Sequence, residues 1–158
     1  MRLALYQPDI AQNAGTLLRT AACLAVPVDI IQPTGFDMTD RALRRAGLDY
    51  LDHVSIHRHE SFEAFDVWRK TSGHRLVLVS RHADRSYLEH SYATGDIIML
   101  GRESAGVPRH VHEASDVRIM IPVAAGLRSL NVAVAGAIVI GEALRQTASF
   151  PSQPAKGT

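Results

Sequence analysis

Two stretches of this chain, Leu76-Val77-Leu78-Val79 and Ile97-Ile98-Met99-Leu100, are apolar at four successive positions with no polar alternation. A strand with one wet face alternates, whereas a strand covered on both faces does not. Strands of this kind belong to parallel sheets, because each parallel connection is long enough to lay a helix across a face. The rest of the sequence supplies the matching pieces. Further strands are expected at Leu3–Tyr6, Val28–Ile31, Val54–Ile56 and Val117–Ile119, and the two apolar runs extend to Leu76–Ser80 and Ile97–Leu100. Helices are expected at Asn13–Ala25, Asp40–Ala46, Ser61–Lys70, Pro108–Ala114 and Leu130–Gln146. Strand alternating with helix predicts an α/β domain, a mostly parallel sheet covered by helices.

Boundary residues agree with that pattern. Asn13 and Ser61 suit helix N-caps, Gly47 suits a C-terminal cap, and Pro108 suits a first helical turn. At 158 residues the chain is expected to form one domain over residues 1–148, followed by a tail, 149–158, with Pro151, Pro154, Lys156 and Gly157. One cysteine, Cys23, excludes an internal disulfide. No secretory leader is read at the start, and the longest apolar stretch, Val132 to Gly141, is far short of the roughly 20 residues that span a bilayer. These features suit a cytoplasmic protein with no membrane partner.

The last helix is apolar at nearly every position from Leu130 to Gly141, and Ala133, Ala137 and Gly141 form a small-residue stripe at four-residue spacing. Such a helix is either an ordinary core helix or one covered on its second side by another subunit.

Three segments offer chemistry. After the first strand comes Asn13-Ala14-Gly15-Thr16-Leu17-Leu18-Arg19-Thr20, where Arg19 shares a helix face with Gly15 and Thr16. An amide and a guanidinium near a helix start can hold a phosphate or a ribose, or serve simply as cap and surface residue. After a buried strand comes Gly101-Arg102-Glu103-Ser104-Ala105-Gly106-Val107-Pro108. Strand exits are where open α/β sheets gather ligands. The glycine spacing is that of a P-loop, but Val107 and Pro108 replace the required Lys and Ser/Thr, so nucleoside triphosphate binding is not expected. Third, Ile121-Pro122-Val123-Ala124-Ala125-Gly126-Leu127-Arg128-Ser129-Leu130-Asn131 joins a strand to the final helix, which Ser129 and Asn131 open. His57, His59, His110 and His112 have two-residue spacing but neither cysteine partners nor a His-Glu-x-x-His pattern, so no metal site is expected. Ser129 lacks nucleophile-elbow glycines.

Taken in order, these segments resemble the three motifs of the SpoU-type RNA 2′-O-methyltransferases of the SPOUT superfamily, over residues 1–146. The stretch from Gly35-Phe36 through Asp40-Arg41-Ala42-Leu43-Arg44-Arg45-Ala46-Gly47-Leu48-Asp49-Tyr50 resembles the minimal bacterial branch without an appended RNA-binding domain. The resemblance implies a C-terminal deep trefoil knot, a homodimer, and S-adenosylmethionine bound near Val79, Gly101, Ile121, Ser129 and Leu130. It implies catalytic roles for Arg19, Asn13, Glu103, Ser129 and Asn131, and wobble nucleotides of leucine tRNAs as targets. Arg41, Arg44 and Arg45 would touch RNA, although a net charge of +1 makes no global field and a basic cluster is also an ordinary solvated face. Ser129-Leu130-Asn131-Val132-Ala133-Val134 departs from the branch's Ser-Met-Asn-Leu-Ser-Asn, and Gly141 stands where relatives often carry tyrosine. The same chemistry on another tRNA or rRNA position, or a non-catalytic RNA-binding factor of this fold, are the competing readings.

Overall fold

The structure is a computed structural model that describes residues 1–45 and 49–152. Its elements run β1 (Arg2–Tyr6), α1 (Ala11–Cys23), β2 (Val28–Ile31), α2 (Asp40–Arg45), a 3-10 turn (Asp49–His53), β3 (Ile56–His59), α3 (Phe62–Thr71), β4 (Arg75–Val79), β5 (Asp96–Leu100), α4 (Arg109–Ala114), β6 (Val117–Ile119) and α5 (Val132–Gln146). The six strands form one sheet in the order β3-β2-β1-β5-β4-β6, parallel at every pairing. Five consecutive residues of β5, including Asp96, are buried, as the absence of polar alternation requires.

The core forms on both faces of the sheet. Leu3, Leu5, Val28, Ile30 and Leu100 face α1 and α5 through Leu17, Leu18 and Ile140, while Tyr6, Leu76, Leu78, Ile97 and Met99 pack with Phe62, Phe65 and Val111 of α3 and α4. Burial of this apolar surface is the main stabilising term.

Several expected boundaries shift. The third strand is Ile56–His59, not Val54–Ile56, in register with β2 from Val28↔Ile56 to Ile31↔His59. Its polar composition hid it, because an edge strand needs no continuous apolar run. Helix α1 starts at Ala11 with Ile10 as its N-cap residue and no side-chain cap, so Asn13 sits inside the first turn and is not the cap. Helix α5 starts at Val132, and its cap is Asn131 rather than Ser129: Asn131 Oδ1 accepts from the amides of Ala133 (2.8 Å) and Val134 (3.3 Å). Ser61 does cap α3, its side chain accepting from Ala64 N. Gly47 lies outside the described residues.

Helix α5 approaches the sheet most closely at Gly136. A Cβ there would lie 2.7 Å from both Leu100 Cδ1 and Leu17 Cδ2, so any side chain would make the ends of both leucines shift. The stripe read from the sequence lies elsewhere: Ala133 is buried, but Ala137 is exposed and a Cβ on Gly141 would meet nothing within 4 Å. With Val134 and Ile138, 49% and 36% exposed, these residues leave α5 an uncovered apolar face.

At the sheet's margin, Asp29 of β2 is fully buried and takes Arg2 through both oxygens, Nε to Oδ2 at 2.6 Å and Nη2 to Oδ1 at 3.1 Å. His59 Nε2 reaches Asp29 Oδ1 at 2.9 Å, and His57 Nδ1 stands 3.6 Å from the same oxygen. Trp68 of α3 lies against both imidazoles, with the Arg2 guanidinium over its ring. The three could in principle ligate one ion, but Arg2 already compensates the carboxylate charge. His110 and His112 sit apart from them on α4.

Candidate active site

The strand order reverses direction between β1 and β5, and in open parallel sheets that switch point opens a crevice beyond the carboxyl ends of the strands. A cleft of about 960 Å³ lies there. Its walls are Ile10 and Asn13 of the β1–α1 segment, Val79 to His82 after β4, Leu100 to Val107 after β5, and Met120, Ile121 and Leu127 to Val132 after β6. It thus draws together Asn13, Val79, Gly101, Glu103, Ile121, Ser129, Leu130 and Asn131, eight of the residues expected to bind or act.

The glycine turn is shaped by backbone contact. Arg102 N donates to Gly106 O at 3.0 Å and Gly106 N to Arg102 O at 2.8 Å, closing a tight loop in which Gly106 has φ +63°. A Cβ on Gly101 would lie 2.8 Å from the Gly106 carbonyl carbon, which bars any side chain there. Arg102 lies over the Tyr6 ring and donates to Gln7 Oε1, fastening the loop to the end of β1.

Asp9 supplies a second fastening. Its carboxylate accepts from the amides of Glu103 (3.2 Å) and Ser104 (3.4 Å) and from the Ser104 hydroxyl. The Glu103 side chain also bonds to Asp9, and this pair divides its titration. A hydrogen bond from Glu103, aided by Ser104, holds Asp9 down at about 2. Burial, then the neighbouring Asp9, pushes Glu103 up, while its bond to Asn13 opposes the rise. Two carboxyl groups in contact cannot both ionise cheaply, so on acidification Glu103 takes up a proton before Asp9 does.

Asn13 and Asn131 extend this network across the cleft. Asn131 Nδ2 donates to Asn13 Oδ1 at 2.9 Å while Asn131 Oδ1 caps α5. One chain of hydrogen bonds therefore links the start of α5, the first turn of α1, the glycine loop and Asp9. Asn13 is available because the α1 backbone does not use it as a cap. Ser129 and Leu130 stand in the exposed 122–130 segment that forms the outer wall.

Arg19 is not brought to the cleft. It is exposed on α1, its guanidinium carbon 4.9 Å from the centre of the Tyr50 ring. Arg41 is exposed on α2; Arg44 and Arg45 belong to the same helix, and their side chains lie outside the described residues. Sequence reasoning gave Arg102 no role within the glycine segment, set His112 aside with the other histidines, and missed Asp9. Position held the signal for Asp9: it follows β1 at the switch point, within reach of the glycine turn that leaves β5. The spacing of His110 and His112 drew notice only as a metal pattern, and nothing in it pointed to the cleft.

The cleft fits S-adenosylmethionine on observations internal to the chain. Its volume falls within the range of ligand sites. Glu103 Oε2 and His112 Nε2, both in its lining residues, are buried without a hydrogen-bond partner, as atoms awaiting a ligand would be.

A parallel sheet with a polar-lined cleft over its switch point, closed by a glycine turn and a capped C-terminal helix, defines an α/β protein built to hold a small ligand. Comparison with known proteins gives the family. Residues 1–141 match the SpoU rRNA Methylase family, and the chain belongs to it. It is similar to the tRNA (cytidine(34)-2′-O)-methyltransferase of Ancylobacter novellus, 54% identical over 150 residues and 95% of each chain. A structure solved for insights into the 2-OH methylation of C/U34 on tRNA superposes with a TM-score of 0.83 at 41% identity, over 92% of this chain and 89% of that one. The AdoMet-bound rRNA methyltransferase of Sinorhizobium meliloti superposes with a TM-score of 0.83 at 26% identity, over 91% of this chain and 55% of that one.

Proposed function

We propose that the chain transfers the methyl group of S-adenosylmethionine to the ribose 2′-hydroxyl of the wobble nucleotide, C34 or a modified U34, of leucine tRNAs. The observation that carries this reading is the convergence of Asn13, Glu103, Ser129 and Asn131 on one cleft at the switch point. The near full-length similarity to an enzyme named for cytidine 34 supports the target. The departures at Leu130 and Val132 alter the wall of the cleft, those at Ala133 and Val134 lie outside it, and all four polar groups stay in place.

Val79, Gly101, Ile121, Ser129 and Leu130 would hold the cofactor, which supplies a methyl group already activated by sulfonium charge. Asn13, tied to Asn131, orients polar groups at the mouth of the cleft. Arg19 clamps a substrate phosphate and stabilises negative charge developing on the 2′-oxygen, with the proton leaving to phosphate or water. A guanidinium keeps its proton at neutral pH, so it acts by charge and not as a base. Arg41, Arg44 and Arg45 form the RNA-facing basic cluster.

The working unit of this reading is a cytoplasmic homodimer of a 1–148 methyltransferase domain with a C-terminal tail. The uncovered face of α5 supports the pairing. Because Arg19 stands outside the cleft of its own chain, the pairing is also what carries an Arg19 to a cleft. The C-terminal segment is threaded as a deep trefoil knot, a reading supported by the return of the chain from edge strand β6 to pack α5 on α1 and β5.

The test is direct. The protein is incubated with labelled S-adenosylmethionine and unmodified total tRNA, and ribose methylation is mapped by mass spectrometry. Label at the wobble ribose of leucine tRNAs is expected; label confined to another position, or to rRNA, overturns the target. Arg19→Ala is expected to abolish transfer and to leave S-adenosylhomocysteine affinity within about twofold in calorimetry, since Arg19 does not line the cleft.

A further inference from the structure

Two buried side-chain polar atoms among the described residues have no hydrogen-bond partner, and both belong to residues lining the cleft. Glu103 Oε2 lies in a segment the sequence already singles out. His112 Nε2 does not. Helix α4 is anchored by Val111, fully buried against β1, β4 and β5, and the next residue turns its imidazole toward the cleft. The His112 carbonyl accepts from Arg118 Nη1 at 2.9 Å, tying α4 to β6 just ahead of the Met120-Ile121 wall. Val107, Met120 and Ile121 make this part of the lining apolar.

A buried nitrogen with no partner forfeits its hydration for nothing in return unless a ligand or a water completes it. A neutral imidazole offers one donor and one acceptor nitrogen, according to tautomer. A ribose hydroxyl can meet either, and an adenine edge presents both kinds of group. The zwitterionic amino-acid end of the cofactor calls instead for charged partners, and the charged residues of the lining, such as Arg81, Arg102 and Arg128, are on other segments.

We infer that His112 Nε2 is a hydrogen-bonding contact for the adenosine half of the cofactor. The inference rests on the cofactor reading given above and adds a binding residue to it. Calorimetric titrations of the full chain with S-adenosylhomocysteine and with adenosine alone separate the possibilities. His112→Ala weakens both ligands by the same factor, about tenfold, the loss of one well-made hydrogen bond. His112→Leu, which keeps apolar bulk, does the same, and His112→Gln, whose amide reaches as far, recovers most of the loss. In the wild type, addition of S-adenosylhomocysteine shifts the His112 Nε2 resonance in an imidazole 1H–15N spectrum, a readout that needs no variant to fold.

Unchanged affinities in the Ala and Leu variants, or an unmoved resonance, overturn the inference and assign the nitrogen to a water. Loss confined to S-adenosylhomocysteine with adenosine unaffected moves the contact to the amino-acid half and also overturns it. Failure of the wild type to bind either ligand is a different result, which defeats the cofactor reading itself.

Discussion

At the scale of single residues, the Asp9–Glu103 pair gives the site a pH signature. Glu103 is pushed above the ordinary glutamate value of 4.5. A carboxyl group whose folded pKa is raised adds stability that is present below its unfolded pKa and is lost as pH rises through the folded value. Asp9 works in the opposite sense: held at about 2 against an ordinary 3.8, it adds stability above 3.8 that is lost as pH falls toward 2. Glu103→Gln keeps a donor facing Asp9 and removes the titration. Its melting temperature should therefore decline less than that of the wild type as pH is raised above about 4.5, as scanning calorimetry at stepped pH would record. An equal decline in both proteins would show that the proton is not held on Glu103. The carboxylate at Glu103 was legible from its place between two glycines at a strand exit. Its raised pKa was not, because that depends on burial in the fold and then on Asp9, which is 94 residues away in sequence at the amide bond.

At the scale of elements, periodicity and length located the strands, and polar chemistry blurred their ends. Both apolar runs lie in central strands, β4 and β5, where burial on two faces leaves no room for polar alternation. Strand β3 was misplaced because its residues, Ile56-His57-Arg58-His59, carry an edge pattern that only pairing with β2 makes visible. The caps of α1 and α5 were misread for a related reason. Asn13, Ser129 and Asn131 are equally good caps on paper; in the fold Asn131 caps α5 and also holds Asn13, which lies inside the first turn of α1. The sequence showed a small-residue stripe on α5 but not the position that meets the sheet, since a helix apolar all round does not reveal which face turns inward. Gly136 fixes that face, and its replacement is a sharp test. Gly136→Val would force Leu17 and Leu100 out of their positions and should cost about 1–3 kcal/mol in urea unfolding, as overpacking does. A substitution at Gly141, where a Cβ has open space, should be nearly silent in a monomer.

At the scale of the whole molecule, the sheet order and the cleft follow from how parallel strands are connected, and the resemblance of the three motifs already pointed to the family. What no pattern supplied was distance. The resemblance puts Arg19 in the site with Asn13, and within one chain six residues along a helix turn it to another face and onto Tyr50. The exposed face of α5, with Val134, Ala137 and Ile138, is where a second copy is proposed to dock. Ile138→Asp would set a charge in that contact. Analytical ultracentrifugation should then show a species near 17.2 kDa in place of one of twice that mass, with the melting profile of the chain otherwise preserved. A wild type that sediments as a monomer would refute the pairing.

The β3 edge of the sheet faces the reverse problem. Strand β3 ends the ladder with backbone groups able to recruit a stray strand from another molecule. Beside it stand Arg2, Asp29, His57 and His59, compensated among themselves and roofed by Trp68. An intruding strand would have to bring apolar side chains against this cluster of ionisable groups, so the same residues that pin β3 in register discourage open-ended polymerisation there.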